Sequence, residues 1–174
     1  MKYVALLRGI NVGGKHALSM SELKNHFESI GLANVATYKN SGNIIFESDT
    51  IRTSNQVQKE ISEVAGFTVP TVVLTANQII RIAAAIPDGW QNDTQQKSDV
   101  LYLFPEVDDA NSVLKLGYNS DFETALYVPG AVLWNVNRTA QSRSGLKKLL
   151  ATPLYKKVTI RNVNTARALA NLVR

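Results

Sequence analysis

The chain has 174 residues, 45% apolar and 19% charged, with a formal net charge of +5 and no cysteine. That length supports one large domain or two small ones with a buried core. The missing cysteines exclude disulfides, thiol catalysis and thiolate metal sites, and with His16 and His26 as the two histidines a multi-histidine metal site is excluded too. No apolar run is long enough to span a membrane, and Met1–Gly9 carries no secretory signal, so a cytoplasmic, membrane-free protein is expected.

Tyr3–Arg8 reads as a buried strand. After the loop Gly9–Leu18, Ser19-Met-Ser-Glu22 has capping-box form, and Met20, Leu23, Phe27 and Ile30 trace one helix face up to Gly31. Asn34–Lys39 and Ile44–Glu47 are strands joined by the turn Asn40-Ser-Gly-Asn43. Thr53-x-x-Gln56 opens a second helix, with Val57, Ile61 and Val64 on one face and Gly66 at its end. Val69–Leu74 is a strand, and Thr75-x-x-Gln78 starts a third helix stopped by Pro87. The order β-α-β-β-α-β is the split βαβ, or ferredoxin-like, unit.

The polar stretch 89–96 reads as a linker, and beyond it the order starts again. Val100–Phe104 is a strand, Val107, Ala110 and Leu114 mark a short helix, and Thr124–Val128 and Ala131–Val136 form a hairpin around Pro129-Gly130. Ser142–Ala151 is helical, Val158–Arg161 is a short strand and Asn164–Val173 is a closing helix. The expected fold is therefore α+β, two tandem ferredoxin-like (βαββαβ) repeats with antiparallel sheets, over 1–88 and 97–174. Taking the first and third strands as parallel puts the loop Gly9–Leu18 and the turn Asn40–Asn43 at opposite sheet ends.

Charge is unevenly spread. All fourteen acidic residues lie within 1–123, while 124–174 holds nine Lys/Arg and no acid. A field of one sign concentrates anions, so phosphate-bearing partners, a small molecule or a nucleic acid, are expected. Gly9-Ile-Asn-Val-Gly-Gly14-Lys15 fits G-x-x-x-x-G-K, but His16 stands where a P-loop needs a magnesium-binding hydroxyl and the helix cap comes too late. What survives is an anion-binding nest at Gly13 and Gly14, flanked by Arg8, Asn11 and Lys15. Ser41 and Asn43 belong to a glycine turn; a triad through Ser41 lacks a histidine within reach. Adjacent Asp108 and Asp109 suit capping better than acid–base work.

Arg161-Asn-Val-Asn164-Thr165 precedes the last helix, where Asn164 reads as the cap and free N–H groups suit an anion. Arg161 and Arg143 add planar two-pronged donors, with Lys147 and Lys148 on the neighbouring helix. The candidate ligand-binding set is thus Arg8, Asn11, Gly13, Gly14, Lys15, Ser41, Asn43, Arg143, Lys147, Arg161, Asn162 and Thr165, with no metal and no cofactor. Tyr127 and Trp134 would stack on bases if exposed. An enzyme using Arg8, Lys15, Asn43 and Arg161 on an anionic substrate, and a self-assembling structural protein, are the alternatives.

Leu6-Leu-Arg-Gly-Ile-Asn-Val-Gly-Gly-Lys15, Thr37-Tyr-Lys-Asn-Ser-Gly-Asn-Ile-Ile-Phe46 and Thr159-Ile-Arg-Asn-Val-Asn-Thr165 closely resemble the signatures of the bacterial family DUF 1697. The resemblance implies a soluble bacterial protein of ferredoxin-like repeats and brings no activity, substrate or catalytic residue. This chain departs from it at Val163, where the family has Trp, and at Ser144-Gly-Leu146, where it has Ser-Lys-Leu.

Overall fold

A computed structural model describes residues 1–10 and 18–174. Its internal contacts divide the chain into two units, 1–77 with 173–174, and 78–172. In the first unit, β1 (Lys2–Leu7) is followed by α1 (Met20–Ser29), β2 (Ala33–Thr37), β3 (Asn43–Glu47), α2 (Ser54–Ala65) and β4 (Thr71–Thr75). α3 (Ala76–Ala84) then runs directly on from β4. The sheet order is β2-β3-β1-β4, and every neighbouring pair is antiparallel. Alternation along β1 turns Tyr3, Ala5 and Leu7 to one side, where they join Leu23 and Phe27 of α1 and Val57 and Ile61 of α2 in a single core. Tyr3 stacks on Phe46 there, with ring centroids 5.3 Å apart.

The second unit repeats the plan. β5 (Gln96–Leu103) leads through a 3-10 turn to the short α4 (Ser112–Lys115), and β6 (Glu123–Val128) pairs with β7 (Ala131–Asn137) across Pro129-Gly130. A 3-10 stretch, Arg138–Arg143, precedes α5 (Gly145–Leu149), and β8 (Val158–Asn162) precedes α6 (Val163–Leu172). The order β6-β7-β5-β8 is again wholly antiparallel. The protein is therefore an α+β pair of ferredoxin-like repeats. Leu101, Leu103, Val132, Trp134 and Val158 form one sheet face and pack with Leu146 and Leu149 of α5. Trp134 is fully buried, edge-on to Tyr118, so it presents no surface for base stacking.

One expectation is overturned. β1 runs antiparallel to β3, with Leu6 opposite Asn43, and the Leu7 N–H donates to the Gly42 carbonyl at 2.8 Å. The end of β1 and the 40–43 turn therefore lie at the same end of the sheet. The physical reason is the hairpin: β2 and β3 must run oppositely, and β3 slots between β2 and β1, whose helical crossover makes those two parallel.

Candidate functional site

At that end of the first unit, the Arg8 N–H donates to the Pro70 carbonyl at 2.8 Å, fixing the chain where it leaves the sheet. The Asn43 side chain is fully buried and donates to the Tyr38 carbonyl at 2.8 Å and to Ser41 Oγ at 2.9 Å. Asn43 thus ties the turn together, with Ser41 exposed beside it. Asn11, Gly13, Gly14 and Lys15 lie outside the described residues.

The second unit holds a cleft of about 550 Å³. Its floor is set by strand register. Lys97 and Asp99 lie two apart on β5 and so share a face; Lys97 is paired with Val136 of β7, and Leu101 with Ile160 of β8. Arg138, Gln141 and Ser142 of the 3-10 stretch, with Ser144, form one wall. Leu146 and Lys147 of α5, with Leu150 beyond it, form the other. Leu101 and Leu103, further along the same face, are core residues, so the cleft is the polar continuation of the core layer.

Each cation there is held differently. The Arg138 guanidinium donates to Asn92 Oδ1 at 3.1 Å, to the Asp93 carbonyl at 3.0 Å and to Gln141 Oε1 at 3.0 Å. All three partners are neutral oxygens that fix the group's orientation. Lys97 Nζ is 3.5 Å from Asp99 Oδ2. Lys147 is exposed and has no carboxylate within ion-pair distance among the described residues. The Asp99 side chain is 7% exposed, and burial raises its carboxyl above the usual range while Lys97 acts the other way.

A second buried carboxylate shapes the wall. Glu123 accepts the Ser144 hydroxyl, the Gly145 N–H at 3.0 Å and the Asn119 N–H at 2.7 Å, which anchors the start of α5 to β6. Gly145 is required there, because a Cβ would stand 2.3 Å from the Gly117 carbonyl oxygen. This accounts for glycine between Ser144 and Leu146.

The residues expected from sequence are only partly brought together. Of Arg143, Lys147, Arg161, Asn162 and Thr165, Lys147 lines the cleft. Arg143 is exposed and covers the Phe122 ring at 4.7 Å. Arg161 pairs with Val100 and so points to the opposite sheet face, where it donates to Thr159 Oγ1 at 3.0 Å and the Ile160 carbonyl at 2.8 Å. Burial pushes its pKa down to about 10. On that face Tyr102 is fully buried, and its hydroxyl meets no hydrogen-bond partner. The helix cap is also displaced from the expected Asn164: α6 begins at Val163, and Asn162 Oδ1 accepts the Thr165 N–H at 2.9 Å. Lys97, Asp99 and Arg138 were missed by motif. The available signal was a Lys-x-Asp pair in line with Leu101 and Leu103 on one strand face.

Fold and cleft together define a two-repeat ferredoxin-like protein with a cation-lined cavity in its second repeat. Residues 1–134 match the family described as "Protein of unknown function (DUF1697)", and the chain belongs to that family. Its structure is similar to that of a conserved bacterial protein, SP0830 from Streptococcus pneumoniae, with a TM-score of 0.80 and 27% identity. That likeness covers 99% of this chain and 98% of the other. No curated protein matches the chain. Among the described residues no helix is long and apolar enough to cross a membrane, and no three His, Asp or Glu residues cluster as for a metal ion.

Proposed function

We propose that the protein binds an anionic small molecule, a phosphate monoester, in the cleft of its second unit. The observation that carries this is the convergence of Lys97, Arg138 and Lys147 on a cavity of about 550 Å³ that holds one carboxylate, Asp99, and an apolar patch of Val136, Leu146, Leu150 and Ile160. Ligand cavities commonly measure about 300–1,000 Å³ and combine apolar lining with a few placed polar groups. Arg138 is already ordered by its three oxygen partners, so a bound anion does not bear the cost of immobilising it.

The fate of the other tail cations supports a small ligand over a nucleic acid. Lys157 pairs with Glu106, Arg167 donates to the Trp90 and Pro87 carbonyls, and Arg161 is buried. Several charges that looked available for a polyanion are thus occupied within the fold.

Isothermal titration calorimetry with ribose 5-phosphate tests the reading. Saturable binding is expected, weakened about tenfold or more in Lys147→Glu, a change of about 1.4 kcal/mol. Lys147 is exposed, so the variant's melting temperature should stay close to that of the parent protein. Absence of heat with any phosphate monoester at millimolar concentration overturns the proposal.

A further inference from the structure

Resting on the cleft as an anion site, we infer that Asp99 makes it selective for phosphate monoesters that also carry hydroxyl groups, the sugar and polyol phosphates. The argument is one of unmet hydrogen-bonding capacity. An ionised carboxylate offers about four acceptor positions. Asp99 lines the cleft and is nearly fully buried, with Arg138 as a neighbouring charge, yet its one direct ion-pair partner among the described residues is Lys97 Nζ at 3.5 Å.

Other structural carboxylates of the same unit are better supplied. Glu123 takes a hydroxyl and two backbone N–H groups. Asp108 accepts the Tyr127 hydroxyl at 3.0 Å and the Gly130 N–H at 2.8 Å. A buried carboxylate with a single long contact to a donor keeps acceptor positions unfilled, at a cost in free energy that a further donor would relieve. At Asp99 the cleft is where a donor can enter.

The chemistry of that donor follows from its neighbours. Lys97, Arg138 and Lys147 outnumber the single carboxylate, Asp99, in the cavity, so a ligand ammonium group meets a net positive field. A divalent cation is disfavoured on the same ground, and a lone carboxylate is a poor hard-cation site. A neutral hydroxyl donates to Asp99 without that repulsion. The apolar wall of Val136, Leu146, Leu150 and Ile160 suits the C–H face of a sugar or polyol.

The test is a calorimetric comparison of ribose 5-phosphate with n-pentyl phosphate, which matches it in carbon number and phosphate charge but lacks hydroxyls. The intact protein should prefer ribose 5-phosphate by about tenfold or more, since a site with an unmet polar group penalises an analogue that leaves it unpaired. Asp99→Leu should abolish the preference and bind n-pentyl phosphate at least as tightly. If Asp99→Leu does not fold, Asp99→Asn keeps the shape and should reduce the preference to a few-fold. Equal affinity for the two esters in the intact protein, or a preference untouched by either variant, overturns this inference and leaves the anion site standing. Failure of both esters to bind overturns the anion site itself.

Discussion

Gly42 shows how one residue fixes the first unit's loop end. It sits at φ +68°, and a Cβ there would stand 2.8 Å from Ile10 Cδ1 and 2.9 Å from Leu7 Cβ. Gly42→Ala therefore combines left-handed strain with overpacking, and about 2–4 kcal/mol of destabilisation is expected in urea unfolding. Gly31 is the control: its φ is +80° with nothing within 4 Å, so Gly31→Ala should cost only the backbone term, about 1–2 kcal/mol. Equal costs would mean that packing against Ile10 and Leu7 contributes nothing. Asp99 makes the converse case. Burial raises its folded-state pKa above the unfolded value, so the folded state binds that proton more readily. The resulting stabilisation is full below the unfolded pKa and is lost as pH rises through the folded one. Asp99→Asn should thus raise the melting temperature at pH 7, with a difference that shrinks as pH falls and is smallest below the unfolded pKa of about 3.9. A pH-independent difference would contradict a buried, titrating carboxyl.

At the level of elements, the starts of α1 and α2 were legible because their chemistry is local, whereas α5 starts at Gly145, after the expected Ser142, and α6 at Val163. Ser19 Oγ accepts the Glu22 N–H at 3.1 Å while Glu22 Oε2 accepts the Ser19 N–H at 2.7 Å, as the S-x-x-E spacing implies. Thr53 and Gln56 form a second box. Ser19→Ala should cost about 1 kcal/mol in urea unfolding; an unchanged midpoint would mean that solvent replaces the cap without loss. Strand cores were legible for a similar reason, since the run Val100–Leu103 buries both faces, but β5 starts at Gln96, so the polar part with Lys97 and Asp99 was not read as strand. The relative direction of β1 and β3 was not legible, because the pairing of Leu6 with Asn43 joins residues far apart in sequence. The cleft escaped motif reading for the same cause. Lys97, Arg138 and Ile160 meet through the register of β5, β7 and β8, and no short window contains them. Arg161 was singled out for its place before a helix start, but strand alternation turns it to the opposite face from Lys97 and Asp99.

For the whole molecule, the deciding quantity is how its positive charge is used. The formal net charge of +5 and the acid-free tail are compatible with a polyanion groove or with a few cations focused on one cavity. Salt dependence separates the two. A nucleic acid that engages six to ten phosphates loses about 10³–10⁵ in affinity between 50 and 200 mM salt, whereas one or two neutralised charges lose less than about tenfold. Ribose 5-phosphate should follow the shallow line, and single-stranded oligothymidylate should show no binding at 200 mM. The shallow line has a structural basis, because Lys157 is paired with Glu106, Arg161 is buried and Arg167 is committed to backbone carbonyls. Steep, tight binding of the oligonucleotide would instead mean that the exposed Arg143, Lys148 and Lys156 act as one surface. The cleft would then be secondary to a nucleic-acid interface.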